Sequence, residues 1–245
     1  MAEPVVLKHR QEFVEVLANY QPSEHAKAEL KKINYVPFAG IAGGGRNTLI
    51  DYLVNNYDYH FVISDTTRPP KLRNGAMEVD GVNYHFRTEE DMLRDLKDGA
   101  FLEAELIHNQ QVSGTSMREL ERAKASGKIP IRDIEFGGIE NVYRANPDNT
   151  IIGLLPPSYE EWIRRFTERE DISEQELINR LRTAKEVLTR MLEKPYFKLV
   201  INDQIEQCAT DVREIIEKGN YSADQDARCR AVAGSILRAV EKRLT

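Results

Sequence analysis

The chain has 245 residues, of which 41% are hydrophobic and 30% charged, and it carries a formal net charge of −6. That is the composition of a soluble globular protein, long enough for one large α/β domain with helical additions. It argues against a duplex-binding protein, which needs a broad basic face, and no apolar run approaches the ~20 residues that span a bilayer.

The pattern at the start is helical, with Phe13, Val16, Leu17 and Tyr20 at i, i+3, i+4, i+7 spacing, followed by a short helical segment from Glu24 to Lys32. Tyr35 to Gly40 reads as a buried strand, although Pro37 inside it cannot donate a ladder hydrogen bond. A glycine-rich turn leads into a helix from Arg46 to about Asn55, and Tyr59 to Ser64 alternates like a strand. Residues 66–81 form a polar stretch, and strand-like pieces at Tyr84–Phe86 and Phe101–Ile107 flank a helix that begins near Glu89. Further strands are expected at Ile129–Ile134, Thr150–Leu155 and Tyr196–Ile201, with a charged helical stretch from Tyr159 to Glu193. Strands alternating with helices imply a parallel sheet covered on both faces.

Asp203 and Glu206 have capping-box spacing before a helix that Gly219 would end, and a last helix covers about Ala223 to Leu244. Cys208 and Cys229 fall in helical segments without metal-ligand spacing and are expected to be reduced, partly buried thiols. The first residues lack the basic-then-apolar form of a secretory signal, so a cytoplasmic location is expected.

Gly40-Ile-Ala-Gly43-Gly44-Gly45-Arg46-Asn47-Thr48 lies where a strand gives way to a helix. The two glycines of G-x-x-x-x-G-K-[ST] are correctly spaced, and such a loop turns successive N–H groups toward phosphate oxygens at a helix N-terminus. Arg46 stands at the lysine position and keeps the charge in a broader planar form. Asn47 stands at the hydroxyl position and offers a carbonyl oxygen to Mg²⁺. A glycine turn that only packs a helix on a strand has the same composition. The positive charge is concentrated around residues 68–73 and 164–169, as suits a small anionic ligand.

Ser64-Asp-Thr-Thr-Arg68-Pro-Pro-Lys71, followed by Gly81-Val-Asn-Tyr84-His-Phe86, resembles the guanylate kinase family signature S-x-T-T-R-x-P-R…G-x-x-Y-x-F. Further segments follow in the family's order: Gly99-Ala-Phe101-Leu-Glu103, Gly114-Thr115, Asp133-Ile-Glu135-Phe-Gly-Gly138, Leu155-Pro-Pro-Ser158 and Val200-Ile-Asn202-Asp203. Arg165, Arg169 and Arg180 keep the spacing of the family's lid arginines. The resemblance runs from about residue 35 to 218. It implies a P-loop kinase fold: a parallel sheet flanked by helices, a small mixed β/α insertion that binds GMP (about 65–117) and a helical lid (about 158–193). The guanylate kinase-like domain would span 34–218, with a helical N-terminal extension at 1–33 and a C-terminal helix at 219–245. The stripes of these two ends would cover the core rather than form a dimer interface, leaving a monomer or a homodimer.

The resemblance also implies a reaction and roles for residues. Family members move the γ-phosphoryl of ATP to GMP with Mg²⁺, giving ADP and GDP. Arg68, Lys71 and Tyr84 would hold the GMP phosphate, Ser64 would help close that site, and Ser113 stands where the family has a phosphate-binding tyrosine. Glu103 would accept the adjacent N1–H and N2–H of guanine, Thr115 would donate to O6, and Glu135 would meet the exocyclic amine. Gly40, Gly43, Gly44, Gly45, Arg46, Asn47 and Thr48 would hold ATP, with Asn202 near its adenine. Asn47 and Asp133 would serve Mg²⁺, through water where needed, and Arg46, Asp133, Arg165, Arg169 and Arg180 would serve the transferring phosphoryl.

Read without the family, the arginines near 164–169 make an exposed salt-bridged helix face, Arg68 a surface arginine and Glu103 a glutamate that only pairs. The chain departs from the family at Arg46, Asn47, Lys71, Ser113, Glu135 and Gly137, and about three added residues precede Glu78. These departures leave open a non-catalytic module that binds nucleotide or phosphopeptide. Such a module would be expected to lose the lid arginines, Asp133 and the base-reading carboxylate, all of which are present. Retention of Glu103 also disfavours a kinase for another nucleoside monophosphate. The expected partners are GMP and ATP, with no nucleic acid and no membrane.

Overall fold

The structure, a computed structural model, describes residues 6–73, 75–168 and 173–245 and divides into two compact units. One takes the chain up to Tyr35, residues 60–130 and 140–149; the other takes 36–59, 131–139 and 150–245. Elements are numbered in chain order.

The second unit is built on most of a sheet in the order β11-β10-β1-β9-β2, of which the start of β9 and all but Tyr59 of β2 belong to the first unit. These strands are Phe197–Ile201 (β11), Ile151–Leu155 (β10), Val36–Gly40 (β1), Ile129–Asp133 (β9) and Tyr59–Phe61 (β2). β1 is parallel to β9 and to β10, and β10 is parallel to β11. β1 and β10 are buried at every position, which is why they read as continuous apolar runs rather than alternating ones. Pro37 is tolerated because Phe38 turns its carbonyl to Ile134 on the β9 side. Pro37 then faces β10, where pairing begins only at Phe38, one residue on.

Five helices complete this unit: α3 (Arg46–Asn56), α7 (Tyr159–Thr167), α8 (Glu174–Glu193), α9 (Ile205–Lys218) and α10 (Ala223–Leu244). Ser158, Ser173 and Ser222 cap α7, α8 and α10 by accepting from the backbone N–H three residues on. Gly219 ends α9 at φ 69°, a conformation glycine adopts without steric cost. α10 packs on α8, α7 and the β10–β11 side, so its apolar stripe covers the core. Both cysteines are buried rather than partly buried, and burial pushes the Cys208 thiol up to about 12, which makes it unreactive.

The first unit contains α1 (Arg10–Ala18), α2 (Glu24–Leu30), α4 (Glu89–Lys97) and α5 (Met117–Ala125). Its sheet has the order β6-β3-β8-β7: His85–Phe86, Asp65–Thr66, Gln111–Ser116 and Phe101–Ile107. Phe13 of α1 is fully buried with Met92, Leu93, Leu96 and Phe101, and Val16, Leu17 and Tyr20 pack on that cluster. The Tyr20 hydroxyl donates to the Phe101 carbonyl at 2.7 Å. A hairpin, β4 (Leu72–Arg73) with β5 (Ala76–Met77), stands within the stretch read from sequence as polar loop.

Other expectations need correction. The strand expected from Tyr59 to Ser64 is regular only to Phe61. β8, α5 and α6 (Phe136–Ala145, which runs through both units) are elements left unassigned from the sequence. Asp203 does not cap α9: the helix starts at Ile205 after Gln204, with no side-chain cap bond. The Asp203 carbonyl is instead taken by the Arg165 guanidinium at 3.2 Å.

One buried charge holds the first unit's elements together. Glu119 in α5 is almost wholly buried and accepts from His60 Nε2 at 2.8 Å and His85 Nε2 at 3.0 Å. A carboxylate only accepts, so both rings carry their proton on Nε2. Burial alone would push the Glu119 carboxyl up, but the two histidines, together with the Ile63 N–H, outweigh it and hold the carboxyl below its ordinary range. The stability this supplies is present above the unfolded carboxyl value of 4.5 and is lost as pH falls through the lower folded one. Glu119→Ala is expected to cost about 3 kcal/mol of unfolding free energy at pH 7, and less at a pH well below 4.5, read by denaturant melts at both pH values. An equal cost at both would refute it.

Candidate functional site

In the second unit, the glycine-rich loop joins β1 to α3 at the carboxyl edge of the parallel sheet, where ligands of open α/β sheets bind. Gly43 and Gly45 have φ of +77° and +92°, so the loop curls in a way other residues resist. Gly44 N–H closes a turn on the Ile41 carbonyl at 3.0 Å. A Cβ on Gly40 would lie 2.6 Å from the Leu154 carbonyl oxygen, and one on Gly45 would lie 2.1 Å from Asn202 Nδ2. The loop is therefore confined on both sides. Two side chains hold its carbonyls: Trp162 Nε1 donates to Ala42 at 2.8 Å and Asn202 Nδ2 donates to Gly44 at 3.1 Å. The Asn202 amide, expected from sequence near an adenine, thus lies against the loop.

Arg46, half-buried, and exposed Asn47 and Thr48 form the first turn of α3, which Gly45 opens without a side-chain cap. Asp133 ends β9 in register with Phe38 of β1, so its carboxylate stands at the same edge of the sheet as the loop. Glu135, expected with the acceptor nucleotide, is exposed just before α6 and belongs to this second unit.

The arginines of α7 and α8 are engaged. Arg165 donates to the Asn202 carbonyl at 2.7 Å, to the Asp203 carbonyl at 3.2 Å and to Glu161 at 2.6 Å. Arg180 pairs with Glu176 and lies 4.5 Å over the Phe166 ring. Arg164 is paired with Glu161 and Glu168 on the exposed face, as an ordinary helix-surface arginine is. Arg169 lies outside the described residues.

The first unit gathers a second set of polar side chains around β3, β6, β7 and β8. Arg68 is nearly buried and makes a two-pronged ion pair with Glu78, at 2.5 and 2.8 Å. Its Nη1 also donates to the Pro69 carbonyl at 3.0 Å, and its guanidinium lies 4.6 Å over the Tyr84 ring. These three bonds use one Nη2–H and both Nη1–H groups. The Tyr84 side chain also bonds the guanidinium, whose second Nη2–H and Nε–H lie along one edge of the fork with the spacing of two phosphate oxygens. The Arg68 bond holds Glu78 down to about 2 against the opposing effect of burial, so the pair is charged at neutral pH.

Lys71 gives its backbone N–H to Glu78 at 3.0 Å, and its side chain is exposed. Ser64 is buried beside Asp65, and its carbonyl accepts from His85 N–H at 2.8 Å. Glu103 of β7 faces Thr115 of β8 across the ladder, and the Thr115 hydroxyl donates to Glu103 Oε1 at 2.6 Å. Ser113 donates to Thr66 Oγ1 at 2.8 Å. This unit therefore holds Arg68 against Tyr84, and a carboxylate, Glu103, against the Thr115 hydroxyl.

A protein-family model described as guanylate kinase matches residues 34–219. The chain belongs to the guanylate kinase family. Among its relatives, Guanylate kinase 1 of Arabidopsis thaliana is 33% identical over 184 residues, which are 74% of this chain and 46% of that protein. Guanylate kinase of Sulfurimonas denitrificans is 33% identical over 181 residues, covering 73% of this chain and 84% of that one. The chain spans about half the length of the two plant guanylate kinases it matches first, and most of the bacterial ones. The crystal structure of guanylate kinase from Anaplasma phagocytophilum superposes with a TM-score of 0.53 at 21% identity, over 78% of this chain and 87% of that one, a likeness of fold.

Against this guanylate kinase background, sequence reasoning missed three supports. Glu78, the partner of Arg68, comes back to it only after the β4–β5 hairpin. Buried Asp65, next to Ser64, accepts from Arg87 at 3.1 Å and Arg118 at 2.8 Å. Trp162 reads as one more apolar position of a helix stripe, and nothing in the sequence shows that its N–H meets the loop. A buried arginine signals a carboxylate partner, but the burial of Arg68 is itself visible only in the fold.

Proposed function

We propose that the chain is an active guanylate kinase, transferring the γ-phosphoryl of ATP to the phosphate of GMP to give ADP and GDP. The observation that carries the acceptor is the Glu103–Thr115 pair. Guanine offers two adjacent donors, N1–H and N2–H, for the carboxylate, and an acceptor, O6, for the hydroxyl that now satisfies Glu103. Adenine offers no such set. Arg68, Tyr84 and the exposed Lys71 would take the GMP phosphate, and Ser64, Ser113 and Glu135 would complete the acceptor contacts.

The donor side rests on the glycine loop with Arg46, Asn47 and Thr48 at the start of α3. Confinement of this loop between Leu154 and Asn202 supports a built phosphate cradle rather than a loose packing turn. Asn47 and Asp133 offer oxygen ligands only, and no group of three or more His, Cys, Asp or Glu that could hold a metal occurs among the described residues. That donor set fits Mg²⁺, which keeps several waters and is bound largely through nucleotide phosphates. When bound, Mg²⁺ would neutralise charge on the transferring phosphoryl. Arg165 would have to exchange the Asn202 and Asp203 carbonyls for phosphate oxygens to act on that group, and Arg180 would have to leave Glu176. No helix among the described residues is long and apolar enough to cross a membrane.

The test is ADP release with ATP and Mg²⁺ in the presence of GMP, AMP or UMP. Turnover with GMP alone supports the reading. Absence of turnover, with GMP bound in calorimetry, refutes it in favour of a binding module.

A further inference from the structure

We infer that Trp162 is a positioning residue for the donor site, setting the orientation of the glycine loop's peptide groups through its indole N–H. Trp162 is the single tryptophan of the chain and is 2% exposed. Its Nε1–H donates to the Ala42 carbonyl at 2.8 Å. Because a trans peptide is planar, its C=O and N–H point in opposite directions. Drawing the Ala42 carbonyl toward α7 turns the Gly43 N–H away from that helix. Asn202 does the same two peptides further on, drawing the Gly44 carbonyl at 3.1 Å and turning away the Gly45 N–H. Two alternate peptides are thus held with their donors on the side opposite the tethering side chains, and the intervening Gly44 N–H is used to close the turn on Ile41. The Gly43 and Gly45 N–H groups fixed in this way would serve as two donors to an anion, as backbone N–H groups do in anion-binding nests.

The tether is braced rather than incidental. Phe166, one turn after Trp162, lies against Gly43, where an added Cβ would meet its ring at 2.8 Å. Arg165 of the same helix grips the Asn202 and Asp203 carbonyls. One face of α7 therefore holds the loop directly, through Trp162, and indirectly, through the turn that carries Asn202. Phenylalanine at position 162 would keep the ring among Tyr159 and Phe166 but lose the donor, leaving the Ala42 peptide free to rotate.

This rests on the reading of the loop as the ATP site, and the experiment separates the two. Trp162→Phe is expected to raise KM for ATP about three- to tenfold, the worth of one buried hydrogen bond, with KM for GMP within about twofold. Its melting temperature should stay within a few degrees of the parent. In the unaltered protein, adding Mg·ATP should change the tryptophan emission, and adding GMP alone should not. An unchanged KM for ATP overturns the proposal. So does a parallel rise in both KM values with a lowered melting temperature, which marks a merely structural residue. ATP binding seen by calorimetry with no change in emission overturns the proposal while sparing the kinase reading. Absence of ATP binding overturns both.

Discussion

Replacing Glu103 by glutamine is expected to lower kcat/KM for GMP about a thousandfold and to leave the low value for AMP unchanged. Two hydrogen bonds from guanine to a carboxylate are each worth about 1.5–3 kcal/mol, so losing both costs on the order of 3–6 kcal/mol. Glutamine is worse than a simple deletion, because its amide presents N–H donors to the N1–H and N2–H donors of the base. The fold should tolerate the change. Glu103 is half-buried, and a glutamine carbonyl can still accept from Thr115 at the place where Oε1 now does. Steady-state rates with both nucleotides and a thermal melt read the outcome. An unchanged ratio of GMP to AMP activity would remove Glu103 from base recognition. A large fall in melting temperature would show that the residue serves the sheet instead.

What the sequence made legible was what depends on neighbours in the chain. The glycine loop could be read because its spacing sits at a strand-to-helix boundary, and Gly219 because a helix stripe stops there. Elements whose pattern was hidden have identifiable causes. β8 is polar and glycine-containing, Gln-Val-Ser-Gly-Thr-Ser, and is a strand because β3 and β7 pair with it on either side. α6 begins Phe-Gly-Gly, and two poor helix formers in its first turn mask it. α5 carries a glutamate on its buried face, which breaks the apolar stripe, and that glutamate is paid for by histidines from two distant strands. The candidate site divides in the same way. Individual residues with special chemistry could be named in advance, but their partners could not. Arg68 meets Glu78, Trp162 meets Ala42 and Arg165 meets Asn202 only because the chain returns to them.

Arg68→Lys, which keeps the charge, is expected to raise KM for GMP about a hundredfold. The guanidinium does several tasks at once: it fills both oxygens of Glu78, donates to the Pro69 carbonyl and lies over Tyr84, and in the proposed reaction it would also meet the phosphate. An ammonium has three donors on one atom and cannot span Glu78 while facing a second anion. It would turn to the nearer, fixed carboxylate, and the phosphate would lose its partner. The loss of a charge-assisted pair, about 1.5–3 kcal/mol, corresponds to ten- to hundredfold in KM, and the misplaced charge puts the expectation at the upper end. The pH dependence supplies an independent reading. Glu78 is held at about 2 mainly by Arg68, so the pair's stability is present above the unfolded value of 4.5 and is lost as pH falls toward 2. With lysine holding one oxygen instead of two, the folded carboxyl rises toward 4.5, and the acid limb of the melting curve flattens. Glu78→Gln should flatten that limb as well, yet raise KM for GMP less, because Arg68 keeps its full charge for the phosphate. If Arg68→Lys leaves KM for GMP within about twofold, the arginine serves the hairpin and not the acceptor.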